Sequence, residues 1–238
     1  MKSLIKKERF DKVFDIIKAG GFADKVHPEE AKIRIEEQIK NGKSQYIFNI
    51  KKTDVDGVRE QSLDRNDLFI PNEWSILLGL RKTANPKLYS FVPVNDGTNP
   101  SIHLVAFKSD SMEALYSGYL QWLVDNAVML STYPMEKFKK IPETQGAFVL
   151  NSSDEAVNEG IQTEWSLDSA LELIIPRMTI AGTRDHKIAV NFDASGLQFP
   201  VTDGYEPYLV LMMDGFLIKG GCEYVNGRNP FGDVVGQW

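Results

Sequence analysis

The spacing of apolar residues predicts helices at the start of the chain. Between Ser3, a suitable N-cap, and Gly20, apolar side chains recur every three or four residues, at Leu4, Phe10, Val13, Phe14 and Ile17. A second helix is predicted over residues 27–42, because Pro28 suits a first helical position. In that helix Ala31, Ile35 and Ile39 would form one apolar face.

From Ser44 onward the pattern changes to the period of two that is typical of strands. Tyr46, Phe48 and Ile50 alternate with polar neighbours. Residues 67–82 form a second strand-like run, which Pro71 should confine to a sheet edge or a bend. Six consecutive apolar residues, 208–213, predict a strand covered on both faces, with a bulge or tight turn at Asp214-Gly215.

Residues 115–130 fit two structures, either one helix or a short helical turn followed by two strands. Gly118 and the adjacent Asp125 and Asn126 interrupt the helical pattern. The run 128–133 is rich in residues that favour strands. The pattern therefore favours the turn and two strands.

The stretch MTIAGTRDHKIAVNFD, residues 178–193, concentrates Arg184, Asp185, His186 and Lys187 between two alternating runs. A Gly and an Asp between strands are typical of a turn, which predicts a hairpin with a solvated polar tip. Replacing Asp185 or His186 should then change stability little. The alternative is a functional site built around His186, but an acid adjacent in sequence points away from its neighbour along a strand.

Composition indicates an ordinary globular chain, since 42% of its 238 residues are hydrophobic and 25% are charged. The sequence contains no run of about 18 apolar residues, so no membrane span is predicted. The charged start of the chain does not resemble a secretory signal. The single cysteine, Cys222, excludes an internal disulfide framework, so synthesis in a reducing cytoplasm is expected.

Charge is unevenly distributed along the chain, whose net charge is −6. Residues 1–43 carry 11 basic and 8 acidic residues, or +3, which leaves −9 for the remainder. A nucleic-acid-binding body needs a clear basic stripe, which the β body lacks. Contact with nucleic acid is therefore expected to be weak at most, and only through residues 1–43.

No sequence signature of catalysis or cofactor binding is present. Phosphate loops, dinucleotide fingerprints and nucleophile elbows are missing, and His27, His103 and His186 with one cysteine give no zinc spacing. Acids at 54, 56 and 60 fit a hairpin turn better than a calcium loop. Trp74, Trp122 and Trp165 fit a core better than a sugar-stacking platform. We therefore expect no cofactor, no metal and no enzymatic activity.

The domain organisation predicted from these patterns has three parts: a helical N-terminal arm (1–43), an antiparallel β body (44–220) and an extended C-terminal tail (221–238). The body is expected to fold without the arm. Aromatic residues in a glycine-rich tail are expected to dock on this chain or a partner. The predicted assembly interface comprises Phe10, Phe14, Ile35, Ile39, Tyr224, Phe231 and Trp238.

Four stretches give the chain a resemblance to known proteins: DLFIPNEWSILLGLRK, SGYLQWLVDNAVMLSTYPMEKF, ELIIPRMTIAGTRDHKIAVNFD and YLVLMMDGFLIKG. In order and texture they resemble the jelly-roll capsid proteins of small bacteriophage virions, over roughly residues 66–219.

The resemblance implies a jelly-roll sandwich that assembles with copies of itself and with other virion proteins, made in the host cytoplasm and located in the virion. It also implies an N-terminal arm that faces the genome, although +3 is weak for that role. Two alternatives remain: a ring component of a phage tail or baseplate, and a β-sandwich carbohydrate-binding module or hydrolase.

Overall fold

The computed structural model describes residues 7–8, 10–12, 14–15, 28–50, 63–82, 85–91, 114–138, 143–145, 162–164, 171–174, 178–198 and 205–222. These residues form a mainly β, antiparallel structure, which confirms the predicted class at that level. The strands are β1 (Pro28–Gln38), β2 (Gln45–Asn49), β3 (Leu68–Lys82), β4 (Asn85–Phe91), β5 (Tyr119–Val124), β6 (Ala127–Pro134), β7 (Glu143–Gln145), β8 (Gln162–Glu164), β9 (Glu172–Leu173), β10 (Ile180–Ala181), β11 (His186–Asn191) and β12 (Tyr205–Ile218). A short 3₁₀ helix, Met135–Phe138, follows β6.

Strands early in the chain pair with strands late in the chain in reverse order, down to the adjacent strands β5 and β6. β1 pairs with β12, β2 with β11, β3 with β10, and β5 with β6, each time antiparallel. The pairing is that of one long hairpin whose tip is the turn at residues 125–126. Asp125 and Asn126 both have positive φ there, as the two-residue hairpin turn requires.

Two further ladders wind this long hairpin into separate sheets. β12 also pairs with β3, and β11 also pairs with β5. The result is a larger sheet of order β1-β12-β3-β10, to which β4 and β9 add along β3, and a four-stranded sheet of order β2-β11-β5-β6. One hydrophobic cluster contains side chains from both sheets, including Ile33, Trp74 and Leu211 from the first and Phe48, Trp122 and Ile188 from the second.

The two central strands of the larger sheet are buried on both faces. Leu209, Leu211 and Met213 of β12 face the inter-sheet core, while Val210 and Met212 join a second cluster with Leu77 and Leu171. This confirms that the apolar run at 208–213 is a doubly covered strand. The register shift beside Asp214 and Gly215 marks a bulge in the ladder at the predicted place, but its extra residue lies on the neighbouring strand β3.

Pro71 lies in the interior of the larger sheet, because β3 pairs with β12 on one side and with β10, β9 and β4 on the other. The prediction of an edge strand was wrong, whereas the alternative, a bend, is what occurs. Gly215 pairs with Pro71 and Asp214 pairs with Glu73, so Asn72 is the extra residue of a bulge. On the side away from β12, Pro71 lies between the residues that pair with β10 and those that pair with β9, so no ladder pairing on that side involves it.

The predicted second helix is wrong, because residues 28–38 form strand β1 and pair along their whole length with β12. Ala31, Ile35 and Ile39 lie four residues apart, a spacing that puts them on one face of a helix. Because four is a multiple of two, the same spacing also puts them on one face of a strand. Ala31, Ile33 and Ile35 face the core together in the strand, and Ile39 continues the same face. Ile33, two residues from each neighbour, was the signal that distinguished strand from helix.

The described part of the N-terminal arm is helical at residues 7–8, 10–12 and 14–15. Phe10 and Phe14 stack with ring centroids 6.0 Å apart, and Phe10 lies 4.9 Å from Phe216 of β12. Phe216 belongs to the face of the larger sheet that points away from the inter-sheet core. The arm therefore contacts the chain's own sheet at this point.

Residues 115–130 adopt the turn and two strands that the pattern favoured. Residues 114–116 form a single helical turn, and β5 and β6 follow as a hairpin. Gly118 is required where the turn meets the sheet, since a Cβ there would lie 3.0 Å from the Phe192 ring and still closer to the carbonyl oxygen of Asn191.

Candidate assembly surfaces

His186 is buried in the core, so the predicted hairpin with a solvated tip is wrong at this residue, while Arg184, Asp185 and Lys187 beside it are partly exposed. β10 pairs with β3 in the larger sheet and β11 lies in the smaller one, which makes residues 182–185 a crossing between sheets. His186 begins β11 and is 4% exposed. The alternating pattern identified both strands correctly but carried no information about which sheet each would join.

Two N–H donors approach the His186 ring. The Trp122 indole donates to Nδ1 at 3.3 Å, and the Ala181 amide donates to Nε2 at 3.2 Å. A neutral imidazole has one acceptor nitrogen, so the ring satisfies one of these donors at a time. A charged ring would present N–H groups to both donors and accept from neither.

The pKa of His186 is lowered from 6.5 to about 4. Burial is the largest cause, since it penalises the charged form; Asp125 opposes it, Arg184 adds to it and Asp185 opposes it. The arrangement keeps the ring neutral near pH 7, as a structural member of the core.

Stability should therefore fall as the pH falls from 6.5 towards 4, because the unfolded chain binds a proton at this site and the folded chain does not. Below pH 6.5 the loss approaches about 1.4 kcal/mol per pH unit and reaches roughly 3 kcal/mol near pH 4. Denaturant unfolding of wild type and His186→Gln across this range measures it. The variant should be less stable at pH 7 and should show a shallower slope. Equal slopes in the two proteins would contradict the buried neutral ring.

The charged neighbours of His186 lie on the surface and contact the turn of the β5–β6 hairpin. Asp125 accepts from the Asp185 amide at 2.9 Å and from Arg184 Nη1 at 3.1 Å. Lys187 Nζ lies 2.8 Å from Asp185 Oδ2. Exposed ion pairs of this kind each contribute only about 0–1 kcal/mol to the stability of the fold. Their main consequence is positional, because they hold the crossing loop, residues 182–185, against the hairpin turn.

The tryptophans that the structure describes belong to the core, as expected. Trp74 and Trp122 are 1% and 0% exposed, and their ring centroids are 5.7 Å apart. Tyr133 packs edge-on against Trp74 at 5.1 Å. Neither ring is accessible for stacking on a sugar. Trp165, His27, His103 and the acids at 54, 56 and 60 lie outside the described residues.

The structure separates the residues predicted to form an assembly interface. Ile35 and Ile39 are 5% and 6% exposed in the chain's own core, so these two are not available to a neighbouring subunit. Phe10 and Phe14 are both half-buried: Phe10 packs against Phe216, and Phe14 stacks on Phe10. Tyr224, Phe231 and Trp238 lie outside the described residues.

The outward face of the four-stranded sheet is a surface that the sequence pattern did not single out. The outward positions of β2, β11 and β5 alternate with core positions, and they are Gln45, Ile47, Asn49, Lys187, Ala189, Asn191, Tyr119, Gln121 and Leu123. Val128 of β6 lies beside Leu123 on the same face. We call these ten residues the outer face. Ile47 and Tyr119 are each 39% exposed, and Val128 is 53% exposed.

A chain of side-chain amides crosses the outer face. Gln45 Nε2 donates to Asn191 Oδ1 at 2.7 Å, and Asn191 Nδ2 donates to Gln121 Oε1 at 3.3 Å. The amides join three strands that lie far apart in the sequence. Their alternation with core residues was visible in the sequence, but the register that aligns them is a product of the fold.

Neither a metal site nor a membrane-spanning helix occurs among the described residues. Within the described ranges, no group of three His, Cys, Asp or Glu side chains is placed to hold a metal ion. No helix in the described part of the chain is long and apolar enough to cross a membrane.

Comparisons with protein-family models, with curated proteins and with solved structures found no significant match to this chain.

Proposed function

We propose that the chain is a structural protein of a virion, a shell subunit with a jelly-roll fold that assembles with copies of itself. The observation that carries the proposal is the nested pairing of β1 with β12, β2 with β11, β3 with β10 and β5 with β6. A long hairpin wound into two facing sheets is the construction of a jelly roll, and viral shell proteins are a principal class with this fold.

Fold alone does not fix function, so the surface has to support the proposal as well. The outer face exposes apolar side chains at Ile47, Tyr119 and Val128 beside uncharged amides. Interfaces between protein copies are depleted of charge at their centres in the same way. Lectin domains and cupins also have the jelly-roll fold. The assembly state of this protein is therefore the property that distinguishes a shell subunit from those two classes.

The terminal segments are part of the proposal. Residues 1–27 precede β1 and carry a small positive charge, so they are suited to contacts at the inner surface of a shell. The tail aromatics Tyr224, Phe231 and Trp238 are proposed to dock on a neighbouring subunit. Burying one such side chain contributes about 1.5–3 kcal/mol before the entropy of ordering the tail is subtracted.

Sedimentation of the full-length chain, expressed alone and together with the other proteins of its virion, tests the proposal. A shell subunit should sediment in closed particles that electron microscopy shows to be uniform in diameter. A small ring of uniform size would support a tail or baseplate component instead. A monomer that never enters particles, under either condition, would contradict a role in the virion.

A further inference from the structure

We propose that His186 is an acid-sensitive switch, whose protonation releases the crossing loop, residues 182–185, while both sheets of the body stay folded. The crossing loop runs from β10 in the larger sheet to β11 in the four-stranded sheet. Opening of this one loop differs from the global loss of stability at low pH. It also requires no second chain, so it is independent of the proposed role in a virion.

The His186 ring lies where the chain crosses between the sheets and connects them. Two donors converge on it: the amide of Ala181 in β10 of the larger sheet, and the indole of Trp122 in β5 of the four-stranded sheet. Only a neutral ring can accept from either donor, because a charged ring carries an N–H at both nitrogens. Protonation therefore removes the connection that this side chain makes between the sheets.

The crossing loop is weakly held where it begins. Among the described residues, β10 lies beside β3 alone and pairs with it through two residues, Ile180 and Ala181. β12, by contrast, pairs with β1 through eleven residues and with β3 through fourteen. Segments with few such contacts open at a lower free-energy cost than the whole domain. Loss of the His186 contacts should therefore free the crossing loop while the long ladders stay paired.

Charged side chains lie on four elements around the ring and its loop: the β5–β6 turn, the crossing loop, β11 and the turn at residues 64–67. They are Asp125, Arg184, Asp185, Lys187, Asp64, Arg65 and Asp67. β2, whose end also borders His186, has no charged residue between 45 and 50. The carboxylates of Asp125 and Asp185 are partly exposed, so they can stabilise a charged imidazole that has moved to the surface.

The two pKa values of His186 set how strongly acid favours the open loop. In the closed chain the pKa is about 4, chiefly because burial penalises the charged ring, whereas an open loop returns the ring to water and to a pKa of 6.5. The open form therefore binds a proton more readily, so falling pH favours it between 6.5 and about 4. The ratio of open to closed chains should rise about twentyfold from pH 7 to pH 5.

Cys222 is a probe of this opening, because its thiol lies beside the crossing loop. The residue is 7% exposed, and Thr183 Oγ1 lies 4.0 Å from its Sγ. The thiol donates to the Asp67 carbonyl oxygen at 3.1 Å, and the Gly182 amide donates to the same oxygen at 2.8 Å. Cys222 is the only cysteine of the chain, so a thiol reagent reports on this position alone.

The test measures how fast the acid-tolerant reagent dithiodipyridine modifies Cys222 of the full-length chain between pH 7 and pH 5. Each reaction forms a mixed disulfide and releases one thiopyridone, whose absorbance gives the rate. Dividing by the rate for the chain unfolded in guanidinium at the same pH removes the thiol's own pH dependence. We expect this quotient to rise about twentyfold while the far-UV circular dichroism stays that of the folded chain. Mild denaturant should hardly change the quotient, since opening one loop exposes little surface.

Histidine variants assign the response to His186. The double variant His27→Gln/His103→Gln keeps His186 as its sole histidine and should respond as wild type does. His186→Gln cannot gain the proton, so its quotient should change less than about threefold over the same range. An NMR titration of the single imidazole in the double variant should give a pKa well below 6.5.

Three results would overturn the switch. The first is a quotient that rises equally in folded His186→Gln and in wild type, or in neither. The second is labelling that increases only with loss of the far-UV signal or with the full denaturant dependence of global unfolding. The third is an imidazole that titrates near 6.5 in the folded double variant, a result that decides the matter even if His186→Gln does not fold.

Discussion

A chain that begins at Ser44 should not fold, in contrast to the sequence-based expectation that the body (44–220) folds without the arm (1–43). The missing segment contains β1, whose Ala31, Ile33 and Ile35 are buried in the inter-sheet core together with Ile39. Burying each isoleucine contributes about 1.5–3 kcal/mol, so their joint loss is roughly 5–9 kcal/mol. Domains of this size are stable by about 5–15 kcal/mol in total. Loss of β1 also uncovers the β12 edge along eleven paired residues.

A chain that begins at His27 is the matched control, because it lacks the N-terminal helix but keeps β1. Circular dichroism and denaturant unfolding should show a cooperative β protein for this control and none for the shorter chain. Point variants separate the two faces of β1. Ile33→Ala should cost about 2–5 kcal/mol, while Lys32→Ala, at an exposed position, should stay within about 0.5 kcal/mol. Cooperative unfolding of the chain that starts at Ser44 would show that β1 is dispensable.

Replacing Gly182 with alanine should destabilise the protein by about 3 kcal/mol, near the upper end of the usual cost of overpacking. Gly182 lies where the chain crosses from β10 to β11, and its amide donates to the Asp67 carbonyl at 2.8 Å. A Cβ at this position would overlap the Asp64 carbonyl oxygen and lie 2.9 Å from the carbonyl oxygen of Arg65. Both obstacles are backbone atoms, so the turn at residues 64–67 would have to move.

Gly220→Ala is the control for this substitution. Gly220 has a φ of +66°, but no atom lies within 4 Å of a Cβ placed there. Alanine should therefore cost only the backbone strain, about 1–2 kcal/mol. Chemical denaturation of both variants gives the comparison. The close approach at Gly182 is refuted if its variant proves no less stable than the Gly220 variant.

Strands were predictable wherever the alternation of apolar and polar residues was unambiguous. β2, the run in β12, the position of the irregularity at Asp214-Gly215 and the β5–β6 hairpin all followed from such local patterns. β1 was mistaken for a helix because Ala31, Ile35 and Ile39 satisfy both periods. The sequence contained the discriminating residue, Ile33, but a favourable helix start at Pro28 outweighed it.

What local patterns did not provide was the partner of each strand. His186 was expected at a hairpin tip because the residues on both sides form strands, yet those strands belong to different sheets. The outer face illustrates the same limit of sequence-based prediction, namely that the pairing partner of a strand is not visible in its local pattern. Gln45, Asn191 and Gln121 form one hydrogen-bonded chain only because β2, β11 and β5 adopt one particular register. Pairing between distant segments is a property of the whole fold, so residues joined in this way were absent from the sequence-based candidates.

Electron cryomicroscopy of the particle that contains this chain tests the central claim most directly. The account predicts a closed shell built from repeated copies of a two-sheet β body, with β1 of each copy paired to its own β12. A map in which the shell is built from another protein, with this chain missing from it, would contradict the account.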